Sequence, residues 1–290
     1  MSLRPPADRV PVPRFRLDRD DGLLVVVAVP AQGQGQPEGR LAGIGAVDKI
    51  AALDVDGSLL SGALAAPLPG ALVAAGLCPV DRLAALRAFL TSPDGAELES
   101  YASAGRAHEL FAAMFTDVPC RLVAAVAEQV WQQRRSTLFA IVRPLVAALR
   151  EHGFTSMLIS GGPHEVLRHL AADLEIEHFH GTTFADEDGL YTGQVAADVI
   201  SRKQQIAAEL AAGQVSDWPR SLAIGNSLPD TDLLQRKGLP IVFEHSVALQ
   251  LAVDKHQWPV ADRHDLADAL RDHAGIHLTL PLGVVTLVRC

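Results

Sequence analysis

The strongest constraint on the fold is segment 49–59, KIAALDVDGSL, in which a short apolar run leads into two carboxylates. Such a run is typical of a strand that is buried on both faces of a parallel sheet. Placing Asp54 and Asp56 at the end of this strand costs free energy unless a cation pairs with them. The usual location is the crevice at the carboxyl ends of parallel strands, and the usual partner is a divalent cation. Taken alone, the segment also fits a loop with two solvated aspartates.

The chain after residue 140 alternates between strand and helix patterns. Short apolar strands are predicted at 156–160, 221–225 and 240–243, with helical patterns between them. This alternation predicts a parallel sheet. Residues 62–137 carry apolar side chains at helical spacing almost throughout. We therefore expect a helical block inserted after the first strand of the sheet.

Within this helical block, an apolar stripe is predicted to form the core of a small bundle and not a ligand site. The stripe consists of Leu110, Phe111, Met114 and Phe115. Near the N-terminus, residues 1–20 are rich in proline and arginine, and we expect poor order there. Residues 23–29 are predicted to form a buried strand. The late run 283–288 is also rich in β-branched residues, and pairing between these two runs is a further hypothesis.

The composition limits the possible functions. The 290 residues carry a net charge of −9, which argues against a nucleic-acid or membrane-surface binder. Cys78, Cys120 and Cys290 show no metal or redox spacing, and an odd, sparse set favours a reducing compartment. No apolar run reaches the length of a membrane span. We therefore expect a cytoplasmic protein that binds neither nucleic acid nor membrane, and the sequence does not indicate its oligomeric state.

Three later segments place further polar groups at strand or helix ends. Ser160 and Gly161 end a predicted strand, an arrangement that aims a hydroxyl and backbone N–H groups at an anion. Lys203, one of four lysines, lies near a helix start, and Asn226 and Asp230 follow another strand. Individually these are compatible with a helix cap, a solvated lysine and a loop. Together, on one edge of a parallel sheet, they predict a site for a phosphate and a divalent cation.

In this order, and with a helical insert after the first, these four segments resemble the motifs of the haloacid dehalogenase-like superfamily. The closest resemblance is to its phosphoserine-phosphatase-like branch, over about residues 47–262. It implies an α/β fold, with a Rossmann-like three-layer parallel sheet and an inserted α-helical bundle as cap. The implied division is an N-terminal extension at 1–45 with an extra strand, a core at 46–62 and 138–290, and a cap at 63–137.

The resemblance also implies a Mg2+-dependent phosphatase that acts on a small phosphorylated metabolite. Asp54 would attack phosphorus to give an aspartyl-phosphate, and Asp56 would be the general acid and base. The implied phosphate-binding residues are Ser160, Gly161 and Lys203. The implied Mg2+ ligands or their supports are Asp54, the backbone carbonyl of Asp56, Asn226 and Asp230.

Two features depart from the family pattern. Asn226 stands where the fourth motif usually has an aspartate, so we expect weaker metal binding. Phosphoserine phosphatases share an acid nine residues after the nucleophile and an arginine in the cap, and here these positions are Ala63 and Phe111. We therefore expect phosphoserine to be a poor substrate. The helical block offers other candidates for contacting the leaving group, namely Arg106, His108, Glu109, Arg134 and Arg135.

Two alternative functions stay open. One is a phosphotransferase that passes the phosphoryl group to an acceptor alcohol. The other is a catalytically weakened domain that binds a phosphorylated ligand or a partner, and Asn226 is the feature that favours it.

Overall fold

The computed structural model describes residues 12–17, 24–29, 49–96, 101–203, 205–206, 218–236 and 238–279. Its strands are β1 (Val12–Leu17), β2 (Leu24–Val29), β3 (Lys49–Leu53), β4 (Phe154–Pro163), β5 (His178–Glu187), β6 (Leu190–Ala197), β7 (Leu222–Gly225), β8 (Leu239–Phe243) and β9 (Val260–Ala261). The helices with fully described bounds are α1 (Leu68–Ala74), α2 (Val80–Leu90), α3 (Pro93–Ala96), α4 (Tyr101–Phe115), α5 (Cys120–Arg134), α6 (Val142–Glu151), α7 (His164–Asp173), α8 (Thr231–Arg236), α9 (Gln250–His256) and α10 (Leu266–Ala274).

The main sheet has seven strands in the order β6-β5-β4-β3-β7-β8-β9. The six strands β5, β4, β3, β7, β8 and β9 pair in parallel, which confirms the predicted parallel sheet. The edge strand β6 is the exception, because it pairs antiparallel with β5. The sequence analysis did not predict β5 or β6.

Alternate side chains of the central strand β3 pack into different cores. Ile50 and Ala52 pack into a smaller core on one face of the sheet, whereas Ala51 and Leu53 pack into a larger core on the other. All four are fully buried, because helices cover both faces of the sheet. The larger core continues without a break into the helical block. This arrangement gives three layers and fixes the residues that follow β3.

Helices α1 to α5 form the helical block between β3 and β4, as the apolar spacing predicts. Helix α2 begins directly after Pro79, and α3 begins at Pro93. Met114 and Phe115 are fully buried, which confirms the core assignment for that part of the stripe. Phe115 also packs on Tyr191 of β6, with ring centroids 5.1 Å apart. The exact core and cap limits at 62/63 and 137/138 stay predictions.

The N-terminal part contains an antiparallel hairpin of β1 and β2, whose register runs from Val12↔Val29 to Leu17↔Leu24. The predicted strand at 23–29 is therefore confirmed, with β2 beginning one residue later. Val12–Leu17, within the segment for which poor order is expected, pairs with β2, and the expectation for residues 1–20 stays a prediction. The run 283–288 lies outside the described residues. In the part of the chain that is described, no helix is long and apolar enough to cross a membrane.

Candidate active site

The sheet topology brings the predicted site residues to one edge. Strand β3 lies between β4 and β7, and the three strands run parallel, so their carboxyl ends meet. Asp54 directly follows β3, and its backbone N–H donates to the carbonyl of Ile224 in β7 at 2.9 Å. Ser160 lies near the end of β4. Lys203 follows a short helical turn after β6 and is buried against the same edge.

A buried ammonium group joins two buried carboxylates at the centre of the site. The Lys203 Nζ lies 2.5 Å from Asp54 Oδ1 and 2.6 Å from Asp230 Oδ1. The other oxygen of Asp54 accepts a hydrogen bond from the Ser58 hydroxyl at 2.8 Å. Asp54 and Lys203 are each 4% exposed, and Asp230 is fully buried. Breaking such a pair by removing one partner is strongly destabilising.

Asp230 uses both carboxylate oxygens within the protein. Its Oδ1 pairs with Lys203, while its Oδ2 accepts from the backbone N–H groups of Asn226 and Ser227, both at 3.0 Å. The Ser227 hydroxyl adds a third bond at 2.9 Å. A side chain at Gly225 would put its Cβ 2.6 Å from that of Asp230, so only glycine fits there. Asp230 thus fixes the loop after β7 and orients the lysine.

The pKa values of these groups shift for identifiable reasons. Burial raises the pKa of Asp54 to about 7, and the charge of Asp230 adds to the rise while Lys203 opposes it. Burial alone would lower the pKa of Lys203, but the carboxylates of Asp230 and Asp54 outweigh burial and raise it. Lys203 therefore stays protonated at neutral pH.

Asp56 belongs to the segment after β3, and its side chain reaches the last residues of β4. Its Oδ1 accepts from the Leu64 N–H at 2.6 Å, and its Oδ2 lies 3.4 Å from the Ser160 hydroxyl oxygen. That hydroxyl oxygen accepts from the Gly162 N–H at 2.9 Å. Burial raises the pKa of Asp56, and the bond from Leu64 opposes that rise. A raised pKa favours the protonated carboxyl, which can donate a proton.

Oxygen donors for a cation are grouped beside Asp54. Asn226 Nδ2 donates to the backbone carbonyl of Asp56 at 3.2 Å, and the Asn226 side chain lies over Gly57, leaving no space there for a Cβ. The carboxylate of Asp54, this carbonyl and the amide of Asn226 are the donor types that Mg2+ accepts. Among the described residues, no cluster of three His, Cys, Asp or Glu side chains is arranged to hold a metal ion. The donor set therefore combines one carboxylate with two neutral oxygens.

A cavity of about 470 Å3 opens above these residues, and its two sides differ in chemistry. We call Asp54, Asp56 and Lys203 the polar floor. A second part of the lining, which we call the apolar wall, is made of Ala63, Leu86, Leu90, Ala107 and Phe111. Phe111 therefore lines a ligand cavity, contrary to its predicted role as bundle core only.

Of the five proposed contacts to the leaving group, His108 alone lines the cavity. Its Nδ1 lies 3.1 Å from Asp198 Oδ1. The other four have different partners: Arg106 pairs with Glu109, Arg134 donates to the carbonyl of Ser61, and Arg135 pairs with Asp173.

The sequence analysis missed Asp198 and most of the apolar wall. Asp198 also accepts from the Ile200 N–H at 3.0 Å. Aspartate often forms such a turn with the backbone two residues on, so Asp198 could have been predicted as a turn residue. Alanines and leucines on helix faces carry no comparable signal.

Comparisons with known proteins agree with this geometry. The model of the haloacid dehalogenase-like hydrolase family matches residues 51–235. Phosphoserine phosphatase SerB2 of Mycobacterium tuberculosis is 24% identical over 208 residues, which are 71% of this chain and 46% of that protein. A phosphoserine phosphatase of Archaeoglobus fulgidus is 27% identical over 135 residues, or 46% of this chain and 39% of that protein. The chain thus spans about half or less of the length of these relatives.

Solved structures share the fold at low sequence identity. A Bordetella pertussis protein of unknown function superposes with a TM-score of 0.64 at 20% identity, covering 75% of this chain and 99% of its own. A phosphoserine phosphatase captured as a phospho-aspartyl intermediate analogue gives a TM-score of 0.51 at 15% identity, covering 75% and 94%. These similarities support the α/β fold with its helical insert.

Proposed function

The chain belongs to the haloacid dehalogenase-like hydrolase family, and from this membership we propose that it hydrolyses phosphate monoesters through an aspartyl-phosphate on Asp54. One observation carries the proposal. Asp54 is a nearly buried carboxylate at the end of the central strand, oriented by Lys203 and Ser58 and facing a cavity large enough for a substrate. A nucleophile needs this combination of fixed orientation and access.

In the first step, a carboxylate oxygen of Asp54 attacks phosphorus while the bond from phosphorus to the leaving oxygen breaks. Asp56 gives its proton to that oxygen, so the product leaves as a neutral alcohol. The burial that raises the pKa of Asp56 supports this role. Lys203, the Ser160 hydroxyl and the backbone at Gly161 are the proposed contacts to the phosphoryl oxygens, whose charge they offset.

In the second step, Asp56 takes a proton from a water molecule whose oxygen attacks the phosphorus of the intermediate. The bond between phosphorus and Asp54 breaks, inorganic phosphate leaves, and both carboxyl groups return to their starting states. Asp230 does not react in this scheme. Its bonds to Lys203 and to the 226–227 backbone favour a supporting role over direct metal binding.

Mg2+ is the cofactor that fits the donors present. Asp54, the carbonyl of Asp56 and the amide oxygen of Asn226, after a turn of that amide, would hold it. The ion would supply positive charge near the phosphoryl oxygens.

The proposed substrate is a small phosphorylated metabolite other than phosphoserine. Ala63 and Phe111, which occupy the positions of the family's amino-acid contacts, both line the cavity. Neither can pair with an ammonium or a carboxylate, and an unpaired charge in an enclosed site is penalised.

One observation favours a second candidate, a weakened domain that binds a phosphorylated ligand. Asn226 presents its N–H, and not its oxygen, to the carbonyl of Asp56, where a cation would otherwise bind. Such a domain would bind phosphate esters with little turnover.

Trapping the intermediate tests the proposal. The substrate is p-nitrophenyl phosphate with Mg2+, because nitrophenolate leaves without a proton. The Asp56→Asn variant should still form the intermediate but hydrolyse it slowly, so that mass spectrometry finds the phosphoryl group on Asp54. A phosphoryl group on serine or histidine would contradict the mechanism.

Absence of both labelling and turnover in the wild type would favour the binding domain. Less phosphate released than nitrophenol would indicate transfer to an acceptor.

A further inference from the structure

The cavity volume and its lining restrict the part of the substrate that leaves as alcohol. A volume of about 470 Å3 lies within the range of roughly 300–1,000 Å3 typical of sites that enclose a whole small molecule. The phosphoryl group needs only the polar floor. Most of the remaining space is bounded by the apolar wall, so the leaving group faces carbon over most of its surface.

Charge is confined to one side of this cavity. Among the described residues that line it, Asp54, Asp56 and Lys203 carry the formal charges, and all three belong to the polar floor. Lys203 is already paired with both Asp54 and Asp230. A charged or zwitterionic leaving group would lose its hydration against the apolar wall without gaining a partner there.

Apolar surface continues from the wall to the exterior. Leu90 lines the cavity and is 39% exposed. Leu228, between two lining residues, is also 39% exposed, and Val247, next to the lining residue Ser246, is 93% exposed. Exposed apolar side chains that cluster at a site commonly mark binding surface. At Leu90 the wall itself therefore reaches the protein surface.

We infer that the substrate is the monophosphate ester of an uncharged, aliphatic alcohol whose chain packs along the apolar wall. The inference rests on the proposed function for the bond that is broken, but it concerns ligand class. His108, held by Asp198, is a polar lining group above the floor and can serve a single hydroxyl or ether oxygen near the phosphate. A sugar, with polar groups on every side, would leave most of them unpaired against the wall.

A binding series tests the ligand class without any turnover. The probes are n-alkylphosphonates from methyl to octyl, which are not hydrolysed, and the dissociation constant is measured by titration calorimetry with Mg2+ present. Burial of each methylene contributes up to about fourfold in affinity, so octylphosphonate should bind at least about 100-fold more tightly than methylphosphonate. Dissociation constants that do not change with chain length would overturn the inference.

Matched variants assign the effect to the wall. Ala107→Asp places a charge on the cavity side of α4, and Ala102→Asp places the same charge on an exposed position of that helix. The octyl-to-methyl affinity ratio should fall at least about tenfold in the first variant and keep its wild-type value in the second. If Ala107→Asp does not fold, Leu90→Asn against the exposed Val80→Asn gives the same comparison on α2. An unchanged ratio in the folded wall variant would overturn the assignment.

Turnover separates this inference from the proposed function. Alkyl phosphates should show rising kcat/KM with chain length, and phosphoserine and hexose phosphates should be much poorer. Turnover that is best on hexose phosphates would contradict the ligand class alone. No turnover on any ester, together with chain-length-dependent phosphonate binding, would contradict the hydrolase and leave the ligand class supported.

Discussion

The polar floor and the apolar wall line one cavity, yet they are held in place in different ways. On the floor, Asp54 is fixed by Lys203, Ser58 and a backbone bond to β7. On the wall, Ala107 and Phe111 are placed only by the packing of a helix. A substitution on the floor therefore disturbs several bonds at once, whereas one on the wall changes shape or polarity locally. We expect floor changes to affect catalysis and stability, and wall changes to affect selectivity.

The largest effect should come from Asp54→Asn. An amide cannot attack phosphorus usefully, so kcat should fall by at least about 10^4-fold, as for loss of a nucleophile elsewhere. The exposed Asp232→Asn, in the same region, is the matched control and should keep wild-type activity. Circular dichroism should show both variants folded. Substantial turnover by folded Asp54→Asn would remove the nucleophile from the polar floor.

Lys203→Met should mainly affect stability. The change leaves the buried carboxylates of Asp54 and Asp230 without their cation, so the free energy of unfolding should fall by about 3–5 kcal/mol. Burial already raises the pKa of Asp54 to about 7, and loss of the Lys203 charge would raise it further. The loss should be smallest at acid pH, where the Asp54 carboxyl is protonated, and grow as the pH rises through its folded-state pKa.

Urea unfolding at several pH values measures this loss. The exposed Lys255→Met should change the free energy of unfolding by less than about 0.5 kcal/mol. Equal effects of the two lysine variants would mean that the floor is no more constrained than the surface.

A third variant would give the wall the charges it lacks. In wild type, phosphoserine should be a poor substrate in the metabolite panel. The double variant Ala63→Glu, Phe111→Arg should raise kcat/KM for phosphoserine by roughly tenfold, as expected for one new charge-assisted hydrogen bond. The reversed pair, Ala63→Arg, Phe111→Glu, is the control, because it adds the same charges in exchanged positions. Phosphoserine as the best wild-type substrate would show that the family positions were assigned wrongly to Ala63 and Phe111.

The smallest effect on the enzyme is expected from a substitution at Asn226. Asn226→Asp adds an anionic oxygen beside Asp54, so the Mg2+ concentration for half-maximal activity should fall by roughly tenfold, the effect of one nearby charge at intermediate screening. Calorimetric Mg2+ binding to the free protein should tighten in parallel. An unchanged requirement would place Asn226 outside the metal shell and leave Asp230 as the remaining acidic ligand. Activity rising from near zero would favour the weakened binding domain.

The sequence predicted the floor far better than the wall. Asp54 and Asn226 follow strands, and Ser160 lies near the end of one. Parallel strands necessarily end at one edge, so the motifs alone bring these residues together. The direction of each side chain is a different matter. The sequence predicted Asp230 as a metal ligand or its support. Its bonds to Lys203 and to its own loop, however, depend on the path of the backbone after β7.

The wall and the edge of the sheet depended on tertiary contacts that have no local signal. Ala107 reads as an ordinary helix residue until its helix is placed over the floor. The β5–β6 hairpin is irregular, with register shifts near Phe184, so a simple alternation of polar and apolar residues does not identify it. Phe111 contacts both the sheet and the cavity. Its ring stacks on Phe184 of β5, with ring centroids 5.9 Å apart, and its side chain lines the cavity.

The backbone bond from Asp54 to Ile224 couples the position of Asp54 to the separation of the central strands. This amide is the last rung of the ladder between the two central strands, and it is buried. Its hydrogen can exchange with solvent only when those strands separate, which is an opening close to global unfolding. We therefore expect the backbone of Asp54 to have no local opening motion of its own. Heat or denaturant that frays helices and loops should leave Asp54 aligned until the sheet itself comes apart.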